Sequence, residues 1–577
     1  MYQMRQETAA ALTAPGARFE LGPITVAHGP TYGAYMKNGW PSLAAYYEDC
    51  FARFPGSDFL VFDDERLTFS QVDAVAAGVA HALETTLGVQ AGDRVAIGMR
   101  NYPEWCLAYI STTRMGAVAV PLNSLWKDAE YEYGLQDSGT RVYICDEDRY
   151  SMAKAACERL GVRVVVARAR SVPTGCVGFA DLVSAGASKR PSSNGVCHDD
   201  MATIMYTSGT TGSPKGVVLT HRNICQQMMM SDFSVAVTDG LKQRLGVAAA
   251  SQTCCILPIP LFHVTGLVHL LLASPINGRK LVLLPKWDPL RALQLIERER
   301  ATTWIGVPTM IQDLMEHPDF DRYDTSSLTA VGSGGGPTPK SQVAKAASKF
   351  KGSGSGGIHN GYGLTETAGA VCFVIGDVYQ QKPTTIGPPC LIAEIQVRSV
   401  DSGAILGANE SGELFIKSPL VMKGYYRMPE KTAEVLDKDG WFASGDIGML
   451  DEDGFVYILD RAKDLIIRGG ENISCAEVEA AFIETGSVLE CAAVGIPDDR
   501  LGEIVGLMVV KSNAGKDVTA KQLREQVVGK IARFKIPDEE FIFFNEERLP
   551  RGATEKIQKR DIRDSLAARL GRARSRL

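Results

Sequence analysis

Several things are scarce or missing in this chain, and each absence removes a class of explanation. No Cys-x-x-Cys pair occurs among the thirteen cysteines, and only Cys254 and Cys255 are neighbours. Metal ribbons and thioredoxin-like motifs are therefore unsupported. The thiols read as small core residues of a reduced compartment, where the sequons at Asn409 and Asn472 go unused. There is no basic excess: the formal net charge is −6, so nothing suggests neutralising the phosphates of a nucleic-acid strand. Charged residues make up only 22%, too few to indicate disorder. The longest apolar stretch, around 268–276, is too short and too close to proline to span a membrane. The opening MYQMRQETAAALTAPG lacks an apolar core, so no signal peptide is expected. The Walker A spacing is absent as well.

What is present is a chain of 577 residues with 45% hydrophobic content, long enough for two or more domains with sizeable cores. Its most informative stretch is YTSGTTGSPKGVVLTH at 206–221. Four hydroxyls (Thr207, Ser208, Thr210 and Thr211) and three glycines, Gly209 and Gly212 among them, sit beside Lys215. Glycine lets backbone N–H groups approach a ligand closely, hydroxyls add hydrogen bonds, and lysine adds a point charge. The run is a phosphate-binding loop by its chemistry. Apolar MATIMY leads in and VVL leads out, so the loop is expected between two strands.

Strand patterns at 93–99, 117–123, 141–146, 254–261, 279–285, 301–307 and 329–336 alternate with helical ones at 70–88 and 288–300. Such alternation implies an α/β fold, a large N-terminal domain of parallel-rich layers. Short alternating strands follow in a small β-rich subdomain at about 385–460. A small α+β C-terminal domain occupies 461–577, with helices expected at 474–485, 519–534 and 555–570.

A second motif, NGYGLTE at 360–366, supplies an aromatic face (Tyr362), a hydroxyl (Thr365) and a carboxylate (Glu366) in five residues. These can stack on a base, bond a phosphate oxygen and hold Mg²⁺, which takes few protein carboxylates beside nucleotide phosphates. Gly352, Gly354 and Gly357 match G-x-G-x-x-G, the one feature favouring a nicotinamide-dependent oxidoreductase. No strand runs into that match, and a lysine-rich helix at 340–351 precedes it, so it reads as spurious.

The 206–221 loop, NGYGLTE, SGD at 444–446, DRAKD at 460–464 and LPRGATEKIQKRDIR at 549–563 occur in an order that resembles the adenylate-forming superfamily. That superfamily includes acyl-CoA synthetases, 4-coumarate–CoA ligases, luciferases and peptide-synthetase adenylation domains. The resemblance covers about residues 40–565 and is nearest to medium- and long-chain fatty acyl-CoA synthetases. It implies an ATP-dependent carboxylic acid–CoA ligase with ATP, Mg²⁺ and CoA as partners and no α-amino group on the acid. By resemblance, Thr207–Gly212 and Lys215 hold the β- and γ-phosphates. Gly334, Gly335 and Gly336 border the adenine and acyl pockets, beside Asn360, Gly361, Tyr362 and Gly363. Thr365 bonds a phosphate, and Glu366 holds Mg²⁺. Asp446 and Arg461 grip the ribose, and Lys463 is the hinge of a mobile C-terminal domain. Gly470 and Asn472 enter in the thioester-forming state. His263 lines the acyl pocket and guards the approach of the thiol. Lys556 bridges the α-phosphate and the substrate carboxylate. One departure stands out: Glu555 occupies a position that is usually glycine.

An aryl, 4-coumarate-like acid is the near alternative. A carrier-loading or luciferase-like adenylating enzyme, or a non-catalytic relative, is more distant. The final Ser575-Arg576-Leu577 resembles a peroxisomal address, so a peroxisome-type organelle and its import receptor are expected, and otherwise the cytoplasm.

Overall fold

The computed structural model describes residues 2–26, 29–191, 195–207, 214–246, 252–334, 340–350, 357–382, 384–469, 471–552 and 555–571. Two eight-stranded sheets carry the first two thirds of the chain. In the first, Val118–Pro121, Arg94–Gly98, Val142–Asp146, Arg163–Ala167 and Val177–Gly178 run parallel. At its other side Met201–Thr207 and Lys215–Thr220 form an antiparallel hairpin. In the second, Ala330–Gly334, Thr303–Gly306, Cys254–Leu257, Lys280–Leu283 and Asp58–Phe62 are parallel, and Ile358–Leu364 joins them in register with Ala330–Gly334. Most of these strands are rich in Val, Ile and Leu because helices cover them, as buried parallel sheets require, while Ala330–Gly334 and Ile358–Leu364 carry the glycines of the cleft edge.

The helices begin and end where local chemistry says they should. Phe69–Leu87 opens on a capping box between Thr68 and Gln71 and closes at Gly88, whose φ of 61° is left-handed. Pro289–Glu299 starts with the Asp288 side chain accepting from the Arg291 N–H. One contiguous core joins both sheets, from Phe19 through Trp304 to Phe442.

A four-stranded antiparallel sheet follows: Glu394–Arg398, Gly412–Lys417, Trp441–Leu450 and Val456–Arg461. The last sheet is built on the long hairpin Val488–Asp498 and Gly502–Lys511, with Ile542–Asn545 and Ile466–Arg468 at its sides. Alternate residues of that hairpin enter two separate cores, Cys491 and Ala493 in one, Ala492 and Val494 in the other. Period-2 alternation with both faces apolar means that both are covered. Helix Cys475–Ile483 lies over one face and Lys559–Arg569 over the other.

Two sequence expectations are corrected here. The helix expected over 519–534 spans Ala520–Val527 only, because Gly529 takes a φ of 83° and turns the chain out of it. The helix expected from 555 starts at Lys559. Ahead of it, Arg551 and Ile557 form an isolated antiparallel bridge. Lys556 is therefore a loop residue, preceded by a left-handed turn at Glu555 with a φ of 60°.

Candidate functional site

A cleft of about 3280 Å³ opens between the second sheet, the four-stranded sheet and the C-terminal α+β unit. Every described residue singled out above lines it: Thr207, Lys215, His263, Gly334, Asn360, Gly361, Tyr362, Gly363, Thr365, Glu366, Asp446, Arg461, Lys463, Asn472 and Lys556. They span 350 positions of sequence, and the strand ends bring them together. Ser208, Gly209, Thr210, Thr211, Gly212, Gly335, Gly336 and Gly470 lie outside the described residues, as do Ser575, Arg576 and Leu577.

The hairpin that carries the phosphate loop delivers Thr207 and Lys215 as register partners. The Lys215 ammonium sits 4.7 Å from the centre of the Tyr425 ring, a cation–π contact. The Tyr425 hydroxyl donates to Glu366 Oε1 at 3.0 Å. Met422 N–H donates to the Glu366 carbonyl at 2.7 Å. Glu366 itself follows strand Ile358–Leu364 in the short 3-10 turn Thr365–Thr367. Burial raises its carboxyl pKa, and the Tyr425 hydrogen bond and the Arg461 and Lys215 charges work against that rise. Tyr425 is a member of the site that sequence reasoning missed. It sits in an unremarkable GYYR, and only the pairing of Gly424–Tyr425 with Lys215–Thr220 places it.

Asp446 is the second node. It is 3% exposed, on strand Trp441–Leu450, directly paired with Arg461 on the next strand. Arg461 Nε lies 3.1 Å from one Asp446 oxygen, and the Tyr362 hydroxyl donates to the other at 2.6 Å. The carboxylate is thus oriented from two sides. Lys463 sits two residues on, in the 3-10 turn Ala462–Asp464. Its pKa is lowered by burial and then by Arg461. Asn472 is exposed at the cleft rim, on strand Glu471–Ile473.

Lys556 arrives from the C-terminal unit. Burial, then the neighbouring Arg461, pull its pKa down to about 8, while Asp446 acts the other way. Its charge acts on His263, whose pKa is pulled down to about 3 by burial and then by Lys556. His263 is therefore neutral. Its Nδ1 accepts from the Thr265 N–H at 3.4 Å, which leaves the proton on Nε2.

The loop that presents Lys556 is held through its backbone. Arg551 Nη1 donates to the Glu555 carbonyl at 2.8 Å, and Arg551 also pairs with the buried Glu490. Glu490 Oε1 accepts from the Leu549 N–H at 2.8 Å. Helix Pro308–Glu316 meets the C-terminal unit along one face, at spacing three and four: Thr309 donates to the Glu555 carbonyl at 3.3 Å, Gln312 to the Leu489 carbonyl of the long hairpin at 3.2 Å, and Asp313 pairs with Arg548 at 2.7 Å. Apart from the Arg551–Glu555 contact, four residues apart, these pairings join segments far apart in the chain, so local sequence did not show them.

Among the described residues no group of three or more metal-ligating side chains occurs. A lone Glu366 beside a phosphate loop still fits Mg²⁺, which keeps waters and leans on substrate phosphates. The backbone at Glu555 gives a stability prediction. A left-handed φ costs an L-residue about 1–2 kcal/mol relative to glycine. Glu555→Gly is expected to melt above Glu555→Ala by about 1 kcal/mol in thermal unfolding, since both lose the carboxylate and only glycine relieves the turn.

The family model for "AMP-binding enzyme" matches residues 47–426, and that for "AMP-binding enzyme C-terminal domain" matches residues 477–556. The long-chain-fatty-acid–CoA ligase FadD13 of Mycobacterium tuberculosis is 33% identical over 551 residues, covering 92% of this chain and 99% of its own. A feruloyl-CoA synthase from an Amycolatopsis species is 35% identical over 499 residues, covering 86% of this chain and 93% of its own. Among solved structures, ATP-bound MatB from Rhodopseudomonas palustris superposes with a TM-score of 0.78 at 28% identity, over 91% of this chain and 99% of its own. The chain belongs to the AMP-binding enzyme family.

Proposed function

We infer that the protein is an ATP-dependent, AMP-forming carboxylic acid–CoA ligase, and we propose a medium- or long-chain fatty acid as its acid. The observation that carries the reading is the convergence of Lys556 with the Asp446–Arg461 node, Glu366 and the phosphate hairpin in one cleft. An acid attacking the α-phosphate brings two anions together. A desolvated ammonium between them lowers that barrier, because charge stabilisation is strongest where water is excluded. The products are acyl-adenylate and pyrophosphate. CoA then attacks the mixed anhydride, giving the acyl-CoA and AMP.

The remaining roles follow the chemistry of each group. Lys215, with the glycine and hydroxyl run before it, would bind the β- and γ-phosphates. Thr365 offers a hydroxyl to phosphate oxygen. Asp446 accepts from the ribose hydroxyls, oriented by Tyr362 and Arg461. Glu366, steadied by Tyr425, would hold Mg²⁺, which would neutralise phosphate charge. His263 bounds the acyl side. We divide the chain at 460/461, with Lys463 as the hinge. The contacts of Thr309, Gln312 and Asp313 would break as the C-terminal unit turns to admit CoA, separating two chemistries at one site.

The fatty-acid reading is supported by apolar lining beside His263, including Met230, Val235, Phe262 and Ile305, and by the similarity to the long-chain ligase. An aryl acid is the second reading, favoured by the similarity to the feruloyl-CoA synthase. The tripeptide Ser575-Arg576-Leu577 motivates the further proposal of a peroxisome-type location. A fluorescent fusion ending in it should collect in that organelle, and one truncated before it should stay diffuse.

In a pyrophosphate-release screen over fatty and aryl acids, CoA-dependent turnover is expected with at least one acid. Lys556→Ala should lower it about a hundredfold or more, in the range seen when one electrostatic contact to a transition state is removed. Equal adenylation rates in the variant would refute the role of Lys556. The ammonium must be protonated, and its pKa in the folded protein is about 8, so kcat/KM for adenylation should fall as pH rises through about 8. In Lys556→Arg that limb should vanish from the accessible range, because guanidinium stays charged.

A further inference from the structure

Asp313 and Arg548 form an ion pair across the two units, and the chemistry described above gives neither of them a part. Asp313 lies on helix Pro308–Glu316, which follows strand Thr303–Gly306 directly. Both of its carboxylate oxygens are engaged. Oδ1 accepts from Arg548 Nη2 at 2.7 Å, and Oδ2 accepts from the Trp287 indole N–H at 2.9 Å. Trp287 is fixed in turn, packed against the main core with its ring 5.5 Å from that of the buried Trp304. The large domain therefore holds the acceptor in place, and the C-terminal unit brings the donor to it.

Arg548 also has a second partner. Its Nη1 lies 3.5 Å from Glu490 Oε2. Glu490 is buried on strand Val488–Asp498 and already pairs with Arg551, which donates to the Glu555 carbonyl beside Lys556. Asp313, Arg548, Glu490 and Arg551 thus make one line of alternating charge that ends at the residue before the lysine. Within that line, the link that crosses between the units is the first. When it opens, Arg548 still faces Glu490 and keeps a carboxylate partner. The link is also a modest one. The Arg548 and Asp313 side chains are 40% and 21% exposed, and both line a groove of about 480 Å³ that admits water. An exposed pair shifts an equilibrium only a few-fold. Such a contact selects an orientation without locking it, as a unit that docks and leaves in every turnover requires.

We propose that Asp313 and Arg548 are positioning residues for the first half-reaction. Their pair favours the orientation of the C-terminal unit in which Lys556 lies in the cleft, and Glu490 keeps Arg548 compensated when the unit turns away to admit CoA. The inference rests on the ligase reading, with one orientation serving each of its two steps. Neither side chain lines the cleft, so each acts through where it holds Lys556. Loss of the pair lowers acyl-adenylate formation and spares or raises the conversion of adenylate to acyl-CoA. A residue needed only for folding would lower both steps alike.

The test measures the two half-reactions separately in the full-length protein. The first is pyrophosphate release without CoA, from whichever of dodecanoic and ferulic acid wild type turns over faster. The second is CoA-ester formation from the chemically prepared adenylate of the same acid. Each rate follows the population of its own orientation, so the ratio of first to second follows the equilibrium between them. Asp313→Ala and Arg548→Ala should each lower that ratio about two- to fivefold, the range of an exposed pair. Asp313→Lys should lower it about tenfold or more, because two cations then meet at the contact. The double variant Asp313→Ala/Arg548→Ala should fall no further than Arg548→Ala alone, since one contact is lost once. An unchanged ratio in Asp313→Lys would overturn the inference, and so would losses that simply multiply in the double variant. In both cases the ligase reading stands, because adenylate and ester still form. A wild type that forms adenylate from no acid of any kind would overturn the ligase reading, and this inference with it. The ratio is read within each protein, so a smaller folded fraction in a variant cancels.

Discussion

Seating the Lys556 ammonium inside the cleft is the constraint on which the other parts of the site depend. A lysine so placed loses hydration, and its pKa falls toward neutrality. It is kept there by its backbone. Arg551 and Thr309 both donate to the Glu555 carbonyl, one from the same unit and one across the cleft. The buried Glu490 ties Arg551 and the Leu549 N–H to the long hairpin beneath. The left-handed turn at Glu555 points that carbonyl at both donors, which accounts for the glycine preference that this chain overrides.

Near that ammonium each carboxylate is held by a phenol: Tyr362 donates to Asp446, which also pairs with Arg461, and Tyr425 donates to Glu366. Tyr425 also lies against Lys215, linking the phosphate hairpin to the carboxylate proposed for the metal. At Glu366 the phenol holds the carboxylate in place without the ion pair that a lysine or arginine at that position would supply. The same economy holds at His263: kept neutral by burial and by Lys556, it adds no second positive charge where the acid must arrive.

The cleft therefore has a charged reacting end, defined by Lys556, and apolar side chains elsewhere in its lining. A hydrophobic wall discriminates chain length weakly, whereas a buried polar group discriminates strongly, because the wrong ligand leaves it unpaired.

Much of this was legible in the residues alone. Apolar runs and helical spacing located many of the parallel strands and helices such as Phe69–Leu87 and Pro289–Glu299, because burial on both faces leaves a composition that neighbouring sequence cannot disguise. The glycine and hydroxyl run placed a phosphate loop between strands, and Met201–Thr207 and Lys215–Thr220 do flank it. Lys556 was assigned to a helix in error, since a left-handed turn at a glutamate carries no local signature. Tyr425, Thr309 and Glu490 were invisible for a different reason. Their partners are Glu366, Glu555 and Arg551, and most of those pairings cross between sheets or between units. Local sequence determined which segments are strands, helices and phosphate loop, because those depend on spacing and backbone freedom. Only the tertiary structure decided which side chains share the cleft and how charged they are there, because burial and long-range contacts exist only once the sheets are stacked.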